Sequence, residues 1–180
     1  MPRVILASQS PRRRQLLGQI GLQNFEVLSP AADETYDSAL APDEIVAELS
    51  RRKAEAAAAL VDDANAVIIA ADTMVFLDDL RLGKPRSEDE AFRMLSALSG
   101  RTHQVRTGVT VVRGGQFVTR VETSDVTFRP LTAGEIRAYI RTGDPMDKAG
   151  AYGVQGKAAL FVEGIRGDYF NVMGLPLCLL

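Results

Sequence analysis

The run AVIIAA at residues 66–71 limits the fold more than any other stretch of the chain. It is too short and too β-branched for a helix, and its apolar residues do not alternate with polar ones, so it reads as a buried central strand. Helical signals stand on either side of it in the sequence. Residues 42–60 open with Pro42, are rich in alanine and glutamate, and give the strongest helix pattern in the chain. Further on, Ser87 followed by Glu90 is a capping signature for a helix that Gly100 should close, and Thr132 with Glu135 repeats it for a helix ending at Gly143. Nearer the start, the apolar residues 4–7 run into Ser8-Gln9-Ser10-Pro11, where Ser10 can cap a helix and Pro11 suits its first position. That helix should end near Gly21, and residues 25–28 read as the next strand. Residues 102–113 and 116–129 are β-rich and joined by Gly114-Gly115, a simple hairpin signal whose arms are long enough for a curved two-strand ribbon. Residues 159–165 read as a final strand. The expected class is α/β, with residues 1–180 forming a single domain free of repeats or linkers.

With 21 basic and 23 acidic side chains the formal charge is -2, which offers no overall attraction for a nucleic acid polymer or a membrane surface. Any phosphate binding must be local. The one cysteine, Cys178, cannot form an internal disulfide, and the first residues lack the apolar core of a signal peptide, so the expected location is cytoplasmic.

Local anion chemistry is available at several points. Residues 8–13, SQSPRR, join a strand end to a helix start, where free backbone N–H groups and the helix dipole favour an anion. At 100° per residue, Arg13 shares a stripe with Leu16, Leu17 and Ile20, whereas Arg14 points away. The three arginines form either a solvated basic surface or a phosphate site. On the long helix, Lys53 falls within the apolar stripe of Ile45, Val46, Leu49, Ala56 and Leu60, so its ammonium must either reach out to water or meet an anion. Asp72 follows the buried strand directly and is expected at its C-terminal end, where open α/β sheets place their ligand crevice. It can hold a divalent metal, accept a proton from an attacking water, or act as an ordinary turn aspartate. Lys84 stands beside the rigid Pro85, and Asp33-Glu34 lies in a polar loop. Gln155 sits among Gly150, Gly153 and Gly156 and could read a base edge through its amide. His103, the one histidine, reads as a polar residue at a strand start, which makes a zinc site or a Ser-His-Asp triad unattractive.

Taken together, LASQSPRR (6–13), RRKA (51–54), AADTMV (70–75), GKP (83–85), AFRMLSALSGRTHQVRTGV (91–109), DKAGAYGVQG (147–156) and FNVMGLPL (170–177) resemble the Maf family of nucleotide pyrophosphatases. Agreement of seven separated motifs in order is highly specific. The resemblance implies an elongated, inosine-triphosphatase-like α/β fold, a mixed sheet flanked by helices with two lobes around a cleft. It also implies hydrolysis of a nucleoside triphosphate to a monophosphate and pyrophosphate with a divalent metal, magnesium or manganese. Asp72 matches the family's proton acceptor. Ser8, Arg13, Lys53 and Lys84 match its phosphate-binding residues, with Lys53 and Lys84 expected to assist catalysis. Arg12, Thr73 and Gln155 match its base-choosing positions, and Glu34 matches the acid beside the metal, so that Asp72 and Glu34 would share the ion.

DKAGAYGVQG is similar to the branch acting on dTTP and UTP rather than the branch acting on 7-methyl-GTP. Members of this kind often form homodimers, and some have been assigned a regulatory role in cell division with little turnover. A positioned Asp72 together with a full basic set argues for turnover, because a pure sensor needs no such acid.

Overall fold

The computed structural model describes residues 2–180. Among them the order of elements is β1 (Val4–Leu6), α1 (Pro11–Gln19), β2 (Phe25–Val27), α2 (Pro42–Ala58), β3 (Val67–Leu77), β4 (Leu80–Leu82), α3 (Glu88–Leu98), β5 (Thr102–Arg113), β6 (Gln116–Phe128), α4 (Ala133–Ile140), β7 (Val162–Arg166) and α5 (Tyr169–Met173). Short 3-10 turns occupy Asp144–Asp147, Ala149–Ala151 and Lys157–Phe161. The described strands form one mixed sheet in the order β2-β1-β3-β5-β6-β7, with β4 paired to β3. The β2–β1 and β1–β3 pairs are parallel, and the β3–β4 and β6–β7 pairs are antiparallel.

Local chemistry explains most of the boundaries. Pro11 and Pro42 stand at the first turn of α1 and α2, where a missing N–H costs nothing. The Glu44 carboxylate accepts from the Ala41 N–H at 2.8 Å, and Thr132 and Glu135 form a complete reciprocal box at the start of α4. At α3 the Ser87 hydroxyl accepts from the Glu90 N–H at 3.1 Å, but the Glu90 carboxylate turns to the Arg86 N–H at 2.7 Å. Gly114 and Gly115 have φ of 57° and 74°, the mirror-image turn that matches the twist of a hairpin.

Four expectations need correction. Ser10 occupies the N-cap of α1 without a side-chain capping bond; its own N–H instead donates to the Ser8 hydroxyl at 3.2 Å. Residues 102–113 and 116–128 are not a free-standing ribbon, because β5 also pairs with β3 and β6 with β7. The last strand begins at Val162, since Lys157–Phe161 is wound as a 3-10 turn. Asp72 does not end its strand: β3 continues through Thr73 to Leu77, an apolar, partly β-branched stretch whose last three residues, Val75–Leu77, pair with β4. What does end near Asp72 is its neighbour. The β1–β3 pairing stops at Leu6 opposite Ile69.

The chain separates into two compact units, Met1–Asp72, Thr107–Glu122 and Gly174–Leu180 in one, Thr73–Arg106 and Thr123–Met173 in the other. In the first, Ile5, Ala7, Ile68, Ala70 and Val112 pack against Ala54 and Ala57 of α2. Gly108 permits this approach, since a Cβ there would stand 2.1 Å from the Val46 carbonyl oxygen. A buried hydroxyl chain runs beside it, with Ser50 Oγ 2.9 Å from Thr110 Oγ1, itself 2.9 Å from Thr119 Oγ1. In the second unit, Leu95 and Leu98 of α3, Ile136 and Tyr139 of α4, and Val105, Val126 and Phe128 of the sheet form the core. No helix among the described residues is long and apolar enough to cross a membrane.

Candidate active site

Strand alternation places Asp72 in the first unit's chemistry. Ile68 and Ala70 face α2, and a period of two puts Asp72 on the same face and Thr73 on the other. On α2, Lys53 lies one turn beyond the buried Leu49 and Ser50 and so points to that strand. The two meet: Lys53 Nζ donates to Asp72 Oδ1 at 2.5 Å, and Asp72 is 9% exposed. The same ammonium lies 2.9 Å from Glu34 Oε1. Lys53 therefore resolves its two open alternatives by meeting anions, and these come from loop 31–41 and from β3.

Glu34 is presented by its neighbours. Asp33 Oδ1 accepts from the Thr35 N–H at 2.9 Å and Oδ2 from the Thr35 hydroxyl at 2.8 Å, bonds that hold the Asp33 carboxyl below its usual range. Arg52 donates to the Thr35 carbonyl at 2.5 Å and is braced by Glu48. Sequence reasoning gave Arg52 no role of its own. The available signal was Glu48, one helical turn earlier on α2.

At the end of β1, Ser8 is buried and accepts from Arg13 Nη1 at 3.1 Å, while Arg13 Nε donates to the Gly174 carbonyl at 2.7 Å. Arg14 is exposed and donates to the Gln9 carbonyl. Burial lowers the Arg13 pKa, with Asp72 acting against that shift, Arg12 adding to it and Glu34 opposing it. Ser8, Arg12, Arg13, Glu34, Lys53 and Asp72 thus form one electrostatic neighbourhood. The role of Gly174 as an anchor for Arg13 had no signal in the local sequence, because the two are 161 residues apart.

Among the described residues no group of three or more His, Cys, Asp or Glu side chains is placed to hold a metal ion. Two carboxylates on one ammonium nevertheless suit a hard, strongly hydrated cation that takes one or two carboxylates and completes its shell with water and phosphate oxygens. They do not suit a four-ligand zinc site.

The second unit holds Thr73, Lys84 and Gln155. Lys84 and Gln155 are both exposed, and Thr73 is half-buried. Their segments are joined by the backbone, since the Gly150 N–H donates to the Gly83 carbonyl at 3.1 Å. His103 does stand at a strand start, as the second residue of β5, and there it is buried. It is 2% exposed, its Nε2 lies 2.7 Å from the Tyr152 hydroxyl, and it makes edge contacts with the rings of Phe128 and Tyr152. Burial pulls its pKa down to about 4, so the imidazole is neutral at pH 7.

Curated relatives match almost the whole chain. The dTTP/UTP pyrophosphatase of Halalkalibacterium halodurans is 50% identical over 98% of this chain and 92% of its own length. The protein of the same name from Moorella thermoacetica is 52% identical over 98% and 91%, and that from Thermococcus gammatolerans 48% over 97% and 91%. Among solved structures, the Ham1 protein of Staphylococcus aureus superposes with a TM-score of 0.52 at 15% identity, covering 87% of this chain and 89% of that one. That likeness is one of fold alone, and it matches the inosine-triphosphatase-like architecture expected from the motifs. The family model described as Maf-like protein matches residues 3–180, and with relatives at this level of identity the chain belongs to the Maf-like family.

Proposed function

We propose that the protein hydrolyses dTTP and UTP to the nucleoside monophosphate and pyrophosphate, acting as one catalytic domain in the cytoplasm and as a homodimer. The observation that carries this reading is the Lys53 ammonium held between Asp72 and Glu34, beside the Ser8–Arg13 corner. The names of the relatives support the substrate class.

Water attacks the α-phosphorus, the bond from that phosphorus to the bridging oxygen breaks, and pyrophosphate leaves. Asp72 orients the water and takes its proton. Lys53, Lys84, Arg12 and Arg13 offset the charge of the triphosphate, and the Ser8 hydroxyl adds a hydrogen bond. Asp72 and Glu34 would hold a magnesium or manganese ion, which supplies charge neutralisation for the departing pyrophosphate. Thr73 and Gln155 select the base. The Gln155 amide offers a donor to O4 and an acceptor to N3–H of uracil or thymine, and a base with another pattern leaves those groups unpaired.

Pyrophosphate release from dTTP, UTP, CTP, ATP, GTP and 7-methyl-GTP, with magnesium or manganese and with chelator, tests the reading. We expect dTTP and UTP to give the highest kcat/KM, ATP and 7-methyl-GTP to be poor, and chelator to stop turnover. A higher kcat/KM for 7-methyl-GTP would move the protein to the family's other branch. Equal hydrolysis of the four common ribonucleotides would remove the role of Gln155.

A further inference from the structure

The proposed reaction leaves a second half-buried lysine unused. The Lys148 side chain is 12% exposed, and its ammonium donates to the Asp144 carbonyl at 2.6 Å, to Asp144 Oδ1 at 3.0 Å and to Asp147 Oδ1 at 2.7 Å. An ammonium has three protons, and these acceptors match its whole donor set. The other oxygen of the Asp144 carboxylate accepts from the Tyr139 hydroxyl at 2.9 Å, and that phenol oxygen accepts in turn from the Gly153 N–H at 3.3 Å. A hydrogen-bonded chain, charge-assisted as far as the Tyr139 hydroxyl, thus ends on the backbone two residues before Gln155.

The fit along this chain is tight. A Cβ on Gly153 would lie 2.6 Å from Lys148 Cε, and one on Gly156 would lie 2.8 Å from Asp144 Oδ2. The turn between them is closed by the Gly156 N–H donating to the Gly153 carbonyl at 3.1 Å. Upstream, Gly150 is fixed by its bond to the Gly83 carbonyl, and the buried Ala151 has a φ of 61°, a conformation that persists only where surroundings impose it. Residues 150–156 are therefore held at both ends, while Gln155 itself is exposed.

Rigidity has a specific chemical consequence here. Uracil and thymine present an acceptor at O4 and a donor at N3, whereas cytosine presents the reverse at N4 and N3. An amide can satisfy either edge by turning over, since its oxygen and nitrogen are nearly the same size. A glutamine on a mobile turn would accept both bases, and one on a fixed turn can be committed to one. We infer that Tyr139, Asp144 and Lys148 are positioning residues for base choice, which fix the 153–156 turn so that Gln155 accepts uracil and thymine and rejects cytosine. This inference rests on the proposal that Gln155 reads the base.

The test is the ratio of kcat/KM for UTP to that for CTP, measured with the thermal midpoint in Tyr139→Phe, Lys148→Met and, separately, Gln155→Ala. Tyr139→Phe removes one oxygen and keeps the ring in the core, so it carries the test should Lys148→Met not fold. The expected result is a fall in the UTP/CTP ratio of at least fivefold in Tyr139→Phe with kcat for UTP within about threefold of wild type. A lowered thermal midpoint with an unchanged ratio would make the network merely structural and overturn the inference, even if Gln155→Ala collapses the ratio. An unchanged ratio in Gln155→Ala together with a fall in Tyr139→Phe would remove Gln155 as the reader and overturn the inference together with the proposal it rests on. A wild-type enzyme that does not prefer UTP to CTP would overturn both.

Discussion

Two lysines, each set between two carboxylates, differ in where their partners come from. Lys53 on α2 bonds Asp72 on β3 and lies against Glu34 in a loop, so its acids arrive from distant parts of the sequence. Lys148 bonds Asp144 and Asp147, one to four residues away, together with the Asp144 carbonyl. The second arrangement is closed: the acids neutralise the lysine within one turn, and the result is a brace. In the first, the two carboxylates belong to separate elements that meet at the lysine, and a polyphosphate or a cation entering there would meet charges of both signs. Under the proposed function, the local cluster serves as scaffold and the convergent one as chemistry.

The largest effect that would break this contrast concerns the acids. Asp72→Asn should lower kcat for pyrophosphate release by well over tenfold, more than about 1.4 kcal/mol of transition-state stabilisation, while the variant stays folded and still binds nucleotide. Asp144→Asn should leave kcat near wild type. If both variants lose turnover equally, or if Asp72→Asn retains more than about a tenth of it, the two clusters do not divide as described.

The cations come next. Lys53→Ala and Arg13→Ala should each reduce kcat/KM for the triphosphate by about 1.5–3 kcal/mol, the usual contribution of a hydrogen bond to a charged group. Arg14→Ala is the control, because its side chain is exposed and bonds only locally. Damage from Arg14→Ala as severe as from Arg13→Ala would defeat the assignment by helix face.

A smaller effect tests whether Lys53 depends on distant packing. Gly108→Ala would force a methyl against the Val46 carbonyl and push α2 from the sheet, at a cost of about 1–3 kcal/mol by denaturant unfolding. Because Lys53 rides on α2, kcat should fall as well, with the UTP/CTP ratio unchanged. A stable variant of normal kcat would show that α2 is not set by this contact.

The smallest effect is on the side of the brace. The neutral, buried His103 touches Tyr152, three residues from Gln155, and its pKa of about 4 lies below the ordinary 6.5. A depressed pKa means that the unfolded chain takes up the proton first, so this contribution is complete above pH 6.5 and is lost as pH falls from there toward 4. At pH 5.5 the loss is about 1.4 kcal/mol for a shift of this size. Urea unfolding at pH 7.5 and 5.5 should show it in the wild type, and a much smaller pH dependence in His103→Gln. Equal pH dependence in both proteins would place the acid sensitivity elsewhere.

Much of the architecture was legible because its causes are local. Pro11 and Pro42, the Ser87 and Thr132 caps and the Gly114-Gly115 turn each act on neighbours within about four residues, and each stands where the pattern placed it. The errors fall where the deciding partner is remote. Residues 67–77 form one strand through Asp72 and on to Val75–Leu77, which pair with β4, and no rule about the residues around an aspartate contains that partner. Residues 159–161 read as the start of the last strand but belong to the 3-10 turn of Lys157–Phe161, while the Arg129 N–H donates to the Phe161 carbonyl. Motif resemblance reached further and named Asp72, Lys53 and Glu34, whose common contact is visible only in three dimensions.

By itself the sequence determined the α/β class, the family and the chemical inventory of the site, since composition, periodicity and motif order are properties of the chain alone. Only the tertiary structure decided that Lys53 bonds Asp72 and meets Glu34, that Arg13 is anchored on Gly174, and that His103 is buried neutral against Tyr152. Hydrogen bonds and desolvation depend on distances of a few ångströms between residues far apart in the chain. Those distances exist only once α2 has settled on the sheet over Gly108 and the last residues have returned to Arg13.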